Sequence, residues 1–389
     1  MLDLLQIRDE IDKIDRSIVE LFEQRMSLVN NVAEYKLATG KPVLDREREQ
    51  IKIEKAKELA HGDFNKQGIS ELFVQMMAIS RKWQYRLLQE YEEQHGGNVQ
   101  AVKSATEAKD DYRVVDAFDF TGATVAYCGI PGAYAHQALR GYFGSDVKEI
   151  SVASFRQAME AIREQTADYA VLPIENTSAG IVNDVYDLMV EFDNRIIDTY
   201  DLPISHSLLV VKGAKMEDIR FVYSHPQALM QCQKYLDGHL EWSKIRTENT
   251  AISAKMVAED GDRTHAAIAS SVNAELYGLD ILEENLQHND NNMTRFVVIG
   301  RKAEYRKDAQ RISISFELPH EEGALYNMLS HFIYNDLSMT KIESRPIQGK
   351  NWQYRFYVEF EGRLDQAGVK NALRGIEAEA IDMRLLGNY

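Results

Sequence analysis

The sequence contains little cysteine and no long hydrophobic run. Cys128 and Cys232 are the two cysteines among 389 residues, too few for a disulfide framework, and this usage is typical of a reducing compartment. No run of about 18 or more apolar residues is present, so the sequence predicts no membrane-spanning helix. The charged N-terminus lacks the hydrophobic segment of a secretory signal. We therefore expect a cytoplasmic protein.

Positive charge is also scarce. The 45 Lys and Arg residues face 61 Asp and Glu residues, which gives a net charge of −16 and argues against nucleic acid as a partner. If the ligands are anions, local clusters of cations must hold them against this overall field. The length predicts two to four domains. We expect neither a metal site nor a cofactor.

The N-terminal segment has the pattern of a long helix packed against other helices. Steps of four and three alternate along one seam, which consists of Ile7, Ile11, Ile14, Ile18, Leu21, Arg25, Leu28 and Val32. A guanidinium in such a seam needs an anionic partner. Lys36 follows on nearly the same face, so Arg25 and Lys36 could converge on a small dianion. Alternatively, both cations are solvated.

Three helices are predicted in the first 95 residues. The first spans about 3–38, the second begins at the N-cap Asp45 and ends before position 61, and the third spans about 70–93. A first helix of about 50 Å exceeds the width of a compact domain. We therefore expect intertwined packing in a homodimer, or in a tetramer built from such dimers.

Further polar residues fall at defined positions on these helices. Arg8 lies about 100° around the axis from Arg25, so it serves a different site or the same site in a partner chain. Ser80 and Gln84 are one turn apart and share a face of the third helix. The alternative interpretation is that both are ordinary exposed positions.

Together these positions resemble the site of the all-helical chorismate mutase family, over residues 1–95. The matching residues are Arg8, Arg25, Lys36, Arg46, Glu47, Ser80 and Gln84. The resemblance implies an all-α bundle that forms an intertwined dimer, in which Arg8, Arg25 and Arg46 neutralise the two substrate carboxylates. Lys36 and Gln84 would donate to the ether oxygen, and Glu47 would accept from the ring hydroxyl. This unimolecular rearrangement needs positioning and placed charge, and it needs no nucleophile.

The middle of the chain changes character twice. Residues 96–121 are polar and charged, which predicts a linker. From residue 122 to residue 304, short apolar strands lead into turns and helices, and the predicted strands are Thr124–Cys128, Ala170–Ile174, Phe221–Tyr223, Ala266–Ala269 and Arg295–Ile299. This pattern predicts a mostly parallel α/β domain of two lobes. Ligands of such sheets bind at the carboxyl ends of the strands and at helix N-termini.

Three strings in this domain resemble the prephenate dehydratase family, over about residues 122–300. They are Glu175-Asn176-Thr177-Ser178, Ser224-His225-Pro226 and Thr294-Arg295-Phe296. Prephenate loses CO₂ and hydroxide while its ring becomes aromatic, so a hydroxyl can suffice as general acid. The resemblance gives this role to Thr294.

The same resemblance implies roles for the neighbouring residues. Arg295 would hold a carboxylate, and the side chains at positions 176–178 would orient the ring and its hydroxyl. Glu175 is either a second acid or a partner that orients Arg295. His225 and Phe296 belong to the expected binding set, but the alternatives are a structural histidine at a turn and a core phenylalanine.

Residues 310–389 have a βαββαβ pattern, which predicts an α+β, ferredoxin-like fold. Two strings resemble ACT domains that bind phenylalanine, namely Gly323-Ala324-Leu325 and Glu343-Ser344-Arg345-Pro346. The resemblance implies that two copies clasp phenylalanine at their interface, with a helix N-terminus near its carboxylate. The alternative is a dimerisation module that binds no effector.

The order of the three segments resembles the bifunctional chorismate mutase/prephenate dehydratase family of phenylalanine synthesis. It implies an isomerase and a lyase on one chain, with chorismate and prephenate as substrates and phenylalanine as allosteric inhibitor. Two alternatives remain open. One is an arogenate dehydratase that uses the same cleft. The other is a non-catalytic amino-acid sensor, against which the presence of Thr294 and of the helical cations argues.

Overall fold

The computed structural model describes residues 3–95, 112–347 and 349–389. Most of the predicted linker, residues 96–111, lies outside these residues. The chain divides into two compact units. The first contains the N-terminal helices together with Gln310–Leu385, and the second contains Tyr112–Ala309 with the last four residues.

Three helices form the N-terminal part of the first unit: α1 (Leu4–Thr39), α2 (Arg46–Leu59) and α3 (Asp63–His95). The ends of α1 and α2 are capped, and the cap of α2 is the predicted Asp45. The Asp3 carboxylate accepts from the backbone N–H of Leu5, Gly40 ends α1 in the left-handed conformation, and the Asp45 carboxylate accepts from Arg48 N–H. The third helix begins earlier than the predicted position 70, because Gly62, with φ of +79°, already ends the preceding turn.

The two halves of α1 differ in burial. Val29 and Ala33 in the second half are buried, and α1 packs against α3. Every described residue from Asp3 to Leu21 is exposed, including five members of the predicted apolar seam. Leu28 is exposed as well, so the single chain leaves six of the eight seam residues exposed and only partly buries Arg25 and Val32.

The second unit contains two larger sheets and one two-stranded parallel sheet, which is formed by its first and last strands. Its strands are β1 (Arg113–Val115), β2 (Thr124–Cys128), β3 (Lys148–Val152), β4 (Tyr169–Asn176), β5 (Gly180–Ile181), β6 (Arg195–Pro203), β7 (Ser207–Val210), β8 (Phe221–Ser224), β9 (Ser243–Arg246), β10 (His265–Ala269), β11 (Asp280–Glu283), β12 (Met293–Gly300) and β13 (Glu304–Arg306). Its helices are α4 (Tyr134–Phe143), α5 (Phe155–Arg163), α6 (Asn183–Glu191), α7 (Pro226–Gln231), α8 (Gln233–Leu236), α9 (Thr250–Asp260) and α10 (Val272–Tyr277).

Both larger sheets are mixed, whereas the sequence pattern predicted mostly parallel strands. One has the order β3-β2-β4-β12-β6, and the other has the order β11-β7-β10-β8-β9. The consecutive strand–helix units pair in parallel, as expected, but β12 returns antiparallel between β4 and β6, and β7 lies antiparallel to β10. The antiparallel pairing of β12 with β4 thus places Thr294 opposite Asn176, at the end of β4.

The remaining residues have the predicted βαββαβ element order. They form β14 (Arg311–Glu317), α11 (Ala324–Ile333), β15 (Met339–Pro346), β16 (Tyr354–Glu361), α12 (Ala367–Glu379) and β17 (Asp382–Asn388). The strand order is β15-β16-β14-β17, so β15 is an edge strand. Phe316, Phe332 and Phe360 are fully buried between sheet and helices, which is the apolar burial that stabilises such a two-layer fold.

Candidate functional sites

A cavity of about 230 Å³ lies among the three N-terminal helices. Its polar lining comes from all three, and consists of Arg25, Lys36, Asp45, Arg48, Glu49, Lys52, Ser80 and Gln84. The rest of the lining is apolar and consists of Leu28, Val29, Val32, Val43 and Met77. Four cations against two carboxylates give the lining a positive balance. This local balance opposes the net charge of the chain and suits an anionic ligand.

Arg25 is held in the cavity wall by α3. Its Nη1 donates to Ser80 Oγ and to the Met76 carbonyl, at 3.3 Å for the latter, while Ser80 Oγ itself donates to that carbonyl at 2.7 Å. Burial lowers the pKa of Arg25, and the nearby Glu49 carboxylate opposes this effect. The guanidinium thus lies in the predicted seam with a fixed orientation and a counter-charge across the cavity.

Lys36 is fixed in a similar way from the other side. Its Nζ donates to the Val43 carbonyl at 2.6 Å, which ties the end of α1 to the turn before α2. Burial lowers the pKa of Lys36, with Glu49 again opposing. An ammonium carries three hydrogens, so two remain for a ligand.

Gln84 is 6% exposed and completes the α3 side of the cavity. Its Nε2 donates to the Ser80 carbonyl at 3.1 Å, and its Oε1 is buried without a hydrogen-bond partner among the described residues. A buried amide oxygen without a partner is costly unless a ligand or water satisfies it. The predicted pair Ser80 and Gln84 therefore lies in the cavity with hydrogen-bonding capacity left over.

The predicted pair on α2 is corrected by the structure. Arg48 and Glu49 line the cavity, whereas Arg46 and Glu47 are exposed and do not. Asp45 is the N-cap of α2. The residues three, four and seven positions after it share one helix face, and this face lines the cavity. Arg46 instead donates from Nη2 to the backbone carbonyl of Glu379, at 3.0 Å.

Arg8 is the one predicted helical cation that lies far from the cavity within its own chain. It is exposed near the start of α1, about 25 Å along the axis from Arg25. The prediction that Arg8 serves a different site, or a copy of this site in a partner, agrees with this position. The residues that sequence analysis missed are Asp45, Arg48, Glu49 and Lys52.

In the second unit, Thr294 and Asn176 are neighbours across the β12–β4 pair. Asn176 Nδ2 donates to Thr294 Oγ1 at 2.9 Å, to Asn292 Oδ1 at 2.9 Å and to the Met293 carbonyl at 3.0 Å. The Thr294 hydroxyl is thereby oriented as an acceptor toward Asn176, and its own hydrogen is available to donate elsewhere. Thr294 is 9% exposed, so its environment is largely shielded from water.

Thr177 and Ser178 hold the loop that follows β4. The Thr177 hydroxyl donates to the Asn291 carbonyl at 3.1 Å and accepts from Met293 N–H at 3.0 Å. Ser178 N–H donates to Asn176 Oδ1 at 2.9 Å, and Ser178 Oγ accepts from Asn289 Nδ2 at 3.1 Å. Both residues therefore position the Asn176–Thr294 pair, and Thr177 does so with both of its hydroxyl functions.

Arg295 has a partner that the sequence did not reveal. Its Nε and Nη2 donate to the two Asp201 carboxylate oxygens, at 2.8 and 3.1 Å. Asp201 is opposite Arg295 on β6, and Glu175 is opposite it on β4. The fork-like pairing fixes the guanidinium plane, so Asp201 orients Arg295, which is one of the two alternative roles predicted for Glu175.

Two of the residues predicted to contact substrate have structural roles. Phe296 is 1% exposed and packs in a core cluster with Val125, Tyr127, Leu139 and Val171, which favours the alternative of a core phenylalanine. The His225 ring caps α7, because its Nδ1 accepts from Gln227 N–H at 3.2 Å. Burial lowers the pKa of His225, which favours the neutral ring that a cap requires, and its ligand contact stays a prediction.

The two larger sheets of the second unit are joined at the Gly129–Gly132 turn. Asn273 Nδ2 donates to the Gly132 carbonyl at 3.2 Å, and the Tyr277 hydroxyl donates to the Pro131 carbonyl at 2.7 Å. Gly132 has φ of +87°, and a Cβ there would lie 2.1 Å from Asn273 Oδ1. Only glycine satisfies both the backbone conformation and this close approach.

The residues predicted to bind an effector lie on two elements of the βαββαβ segment. Gly323, with φ of +75°, is the N-cap of α11, and Ala324 and Leu325 form its first turn. Glu343, Ser344 and Arg345 lie on the edge strand β15, opposite Tyr357, Phe356 and Arg355 of β16. Effector binding by these residues stays a prediction.

Residues 3–95, 112–347 and 349–389 contain neither a candidate metal site nor a candidate membrane-spanning helix. No cluster of three or more His, Cys, Asp or Glu side chains there could hold a metal ion. No helix in the same ranges has the length and apolar character needed to cross a bilayer.

Two protein families match separate parts of the chain. The chorismate mutase type II family matches residues 7–85, which include most of the helical cavity. The prephenate dehydratase family matches residues 125–304, which include Thr294 and Asn176. These matches confirm the family predicted from the sequence.

Individual relatives agree with these matches. The arogenate dehydratase/prephenate dehydratase 6 (chloroplastic) of Arabidopsis thaliana is 36% identical over 68% of this chain and 68% of its own length. Among solved structures, prephenate dehydratase from Arthrobacter aurescens in complex with L-Phe has a TM-score of 0.64 and 30% identity, and the match covers 68% of this chain and 89% of that chain. The bifunctional chorismate mutase/prephenate dehydratase of Enterobacter agglomerans is 33% identical over 99% of this chain and 95% of its own length. The chain therefore belongs to the family of bifunctional chorismate mutase/prephenate dehydratases.

Proposed function

We propose that the helical cavity converts chorismate to prephenate and that the Thr294 site converts prephenate to phenylpyruvate, CO₂ and water. We assign the first reaction to residues 1–95, the second to residues 122–304, and control by phenylalanine to residues 310–389. The single observation that carries this proposal is that one chain places a cationic cavity on α1–α3 and an oriented hydroxyl on β12.

The helical cavity matches what the first reaction requires. The substrate is a dianion whose ether C–O bond becomes polarised as it breaks, so the site must hold two carboxylates and stabilise charge on one oxygen. Arg25 and Arg48 bind the carboxylates, and Lys36 and Gln84 donate to the ether oxygen. Glu49, in place of Glu47, accepts from the ring hydroxyl.

The exposed half of α1 supports an intertwined dimer. Ile7, Ile11, Ile14, Ile18 and Leu21 are between 36% and 64% exposed, and a row of apolar residues on one helix face is buried in stable proteins by another helix. A second copy that covers this row would also bring its own Arg8 to the cavity of the first. Each site then contains residues from both chains.

Thr294 supplies the proton for the second reaction. The ring C–C bond to the departing carboxylate breaks, its electron pair enters the ring, and the ring C–O bond breaks as the hydroxyl leaves. Thr294 donates to the departing oxygen, which leaves as water, and the threonine is reprotonated from solvent. Arg295, held by Asp201, binds the remaining carboxylate, and Glu175 assists from the adjacent strand.

The C-terminal segment is proposed to be an ACT domain that senses phenylalanine. Two copies joined along β15 would enclose one phenylalanine between the Gly323 turn of one copy and Arg345 of the other. Inhibition follows if phenylalanine binds one conformation of the enzyme more tightly than another.

An absorbance assay tests the proposal. Purified protein given chorismate should consume it and form phenylpyruvate, and added phenylalanine should slow phenylpyruvate formation. Prephenate and arogenate supplied separately distinguish the two possible second substrates, because the ammonium of arogenate needs an acidic partner in the site. Turnover of arogenate alone would replace the prephenate assignment, and no turnover of any substrate would contradict both reactions.

A further inference from the structure

One buried guanidinium joins the helical cavity to the C-terminal segment within the first unit. Arg81 on α3 is 7% exposed. Its Nη1 donates to Glu49 Oε2, and its Nε donates to Glu379 Oε1 at 2.9 Å. Glu49 lines the cavity, whereas Glu379 is the last residue of α12. A single cation therefore bridges two carboxylates that lie 330 positions apart in the sequence.

The Glu379 end of this bridge is itself fixed. Glu379 Oε1 lies 3.3 Å from Nε2 of His331, a residue that is 1% exposed on α11. A Cβ at Gly375, one turn before Glu379, would lie 2.3 Å from the His331 ring, so the glycine permits this close packing of α11 and α12. Burial alone would raise the pKa of Glu379, but hydrogen bonds and charges from His331 and Arg81 lower it to about 2.

The buried charge of Arg81 is compensated only when both Glu49 and Glu379 are present. A guanidinium taken out of water is stable only when its donors meet anions, and removal of one partner leaves an uncompensated buried charge. With Glu379 in place, Arg81 shares its charge between two carboxylates and holds Glu49 by Oε2 alone. Glu49 Oε1 is then available to accept from a ligand in the cavity.

The position of Glu49 affects the charges of the cavity. Arg25 and Lys36 both attract Glu49, so a Glu49 side chain released by Arg81 would turn toward them. It would then neutralise the charges that are proposed to bind and polarise chorismate. A carboxylate displaced by about 1 Å can cost about 100-fold in rate.

We propose that Arg81 and Glu379 are positioning residues for the mutase reaction, and that the C-terminal segment thereby completes the mutase site. This inference rests on the proposed mutase function of the cavity. Neither residue contacts the substrate; both act through Glu49.

The test measures mutase kcat and KM on the full-length chain for Arg81→Met, Glu379→Gln and Glu49→Gln, and for the double variant Arg81→Met/Glu49→Gln. Arg81→Met should lower mutase kcat/KM roughly 10-fold or more, chiefly in kcat, and Glu379→Gln should do so less strongly. In the Glu49→Gln background the Arg81→Met change should have little further effect, because its target is gone. A purely structural role would give additive losses instead.

Lys82 offers a matched control. It is the next residue on α3, is 5% exposed, and also contacts the C-terminal segment, with Nζ 4.6 Å from the Tyr334 ring centroid. Lys82→Met should leave mutase kcat/KM unchanged, and dehydratase turnover of each sample reports that the chain is folded. Arg81→Lys should recover part of the lost rate.

The outcomes separate the inference from the function on which it rests. If wild-type protein turns over chorismate and Glu49→Gln is impaired, but Arg81→Met is as active as wild type, the inference is overturned and the function stands. Additive losses in the double variant, or an equal loss in Lys82→Met, also overturn it. If the wild-type chain has no mutase activity, the proposed function is overturned and the inference with it.

Discussion

Replacement of Thr294 by valine tests the dehydratase site with the least disturbance of the fold. Valine has the shape of threonine without its hydroxyl. Asn176 Nδ2 keeps two acceptors after the change, Asn292 Oδ1 at 2.9 Å and the Met293 carbonyl at 3.0 Å, so no buried donor is left without a partner. The stability cost should be that of one neutral hydrogen bond, about 1 kcal/mol.

The catalytic cost should be far larger than the stability cost. A positioned general acid contributes about 10²–10⁴-fold to rate, so Thr294→Val should lower dehydratase kcat by about that factor. The assay supplies prephenate and follows phenylpyruvate absorbance. Chorismate consumption by the same sample should be unchanged, because the cavity on α1–α3 does not include β12.

Thr199 provides the matched control for this experiment. It lies on β6, opposite Val297 of β12, and is half-buried. Thr199→Val should leave both activities near the wild-type values. Dehydratase kcat near wild type in Thr294→Val would refute the general-acid role, and loss of mutase activity in that variant would refute the assignment of the two reactions to separate sites.

The remaining predictions concern α2, the core, acid stability and regulation. Glu49→Gln should lower mutase kcat about 10²-fold or more, as loss of a preorganised group does, while Glu47→Gln, measured beside it, should not. Phe296→Ala should cost about 3–5 kcal/mol of unfolding free energy in urea titrations, with Phe296→Leu much milder. Because the pKa of Glu379 falls to about 2 in the folded state, its contribution is present above the unfolded value of about 4.5 and is lost as pH falls through about 2. The melting temperature of Glu379→Gln should therefore approach that of wild type as the pH is lowered through that range. Arg345→Ala should relieve inhibition by phenylalanine with both activities retained, and unchanged inhibition would move the effector site elsewhere.

The sequence predicted α1 and its cations because periodicity is local information. The seam from Ile7 to Val32 fixes one helix face, and Lys36 follows from the same geometry. The pair on α2 was misassigned because Arg-Glu occurs twice in succession, at positions 46–47 and 48–49. The N-cap decides between them, since Asp45 sets which residues face inward three and four positions later.

Contacts between distant strands could not be predicted in the same way. Thr294 and Asn176 meet because β12 inserts antiparallel between β4 and β6, and no local pattern specifies that insertion. Asp201 escaped prediction for the same reason, since its contact with Arg295 depends on the register of β6. From the sequence, Phe296 could contact the ligand or belong to the core, and its burial in the structure favours the core.

The Arg81 bridge is the feature that was hardest to predict from the sequence. Ser80 and Gln84 were predicted to be site residues because their spacing places them on one helix face. Arg81 lies between them in the sequence, and no spacing rule connects it with Glu379. Its contact with Glu379 depends on the packing of α12 against α3 and on the absence of a side chain at Gly375. Long-range ion pairs of this kind become visible only when the fold is known.

The decisive measurement is a structure of the full-length protein with a dianionic analogue of the chorismate rearrangement transition state. The analogue should lie among α1–α3, with its carboxylates on Arg25 and Arg48 and its ether oxygen near Lys36 and Gln84. Arg8 of a second copy should complete the site. An analogue bound outside this cavity, in a protein that still converts chorismate to prephenate, would contradict the account.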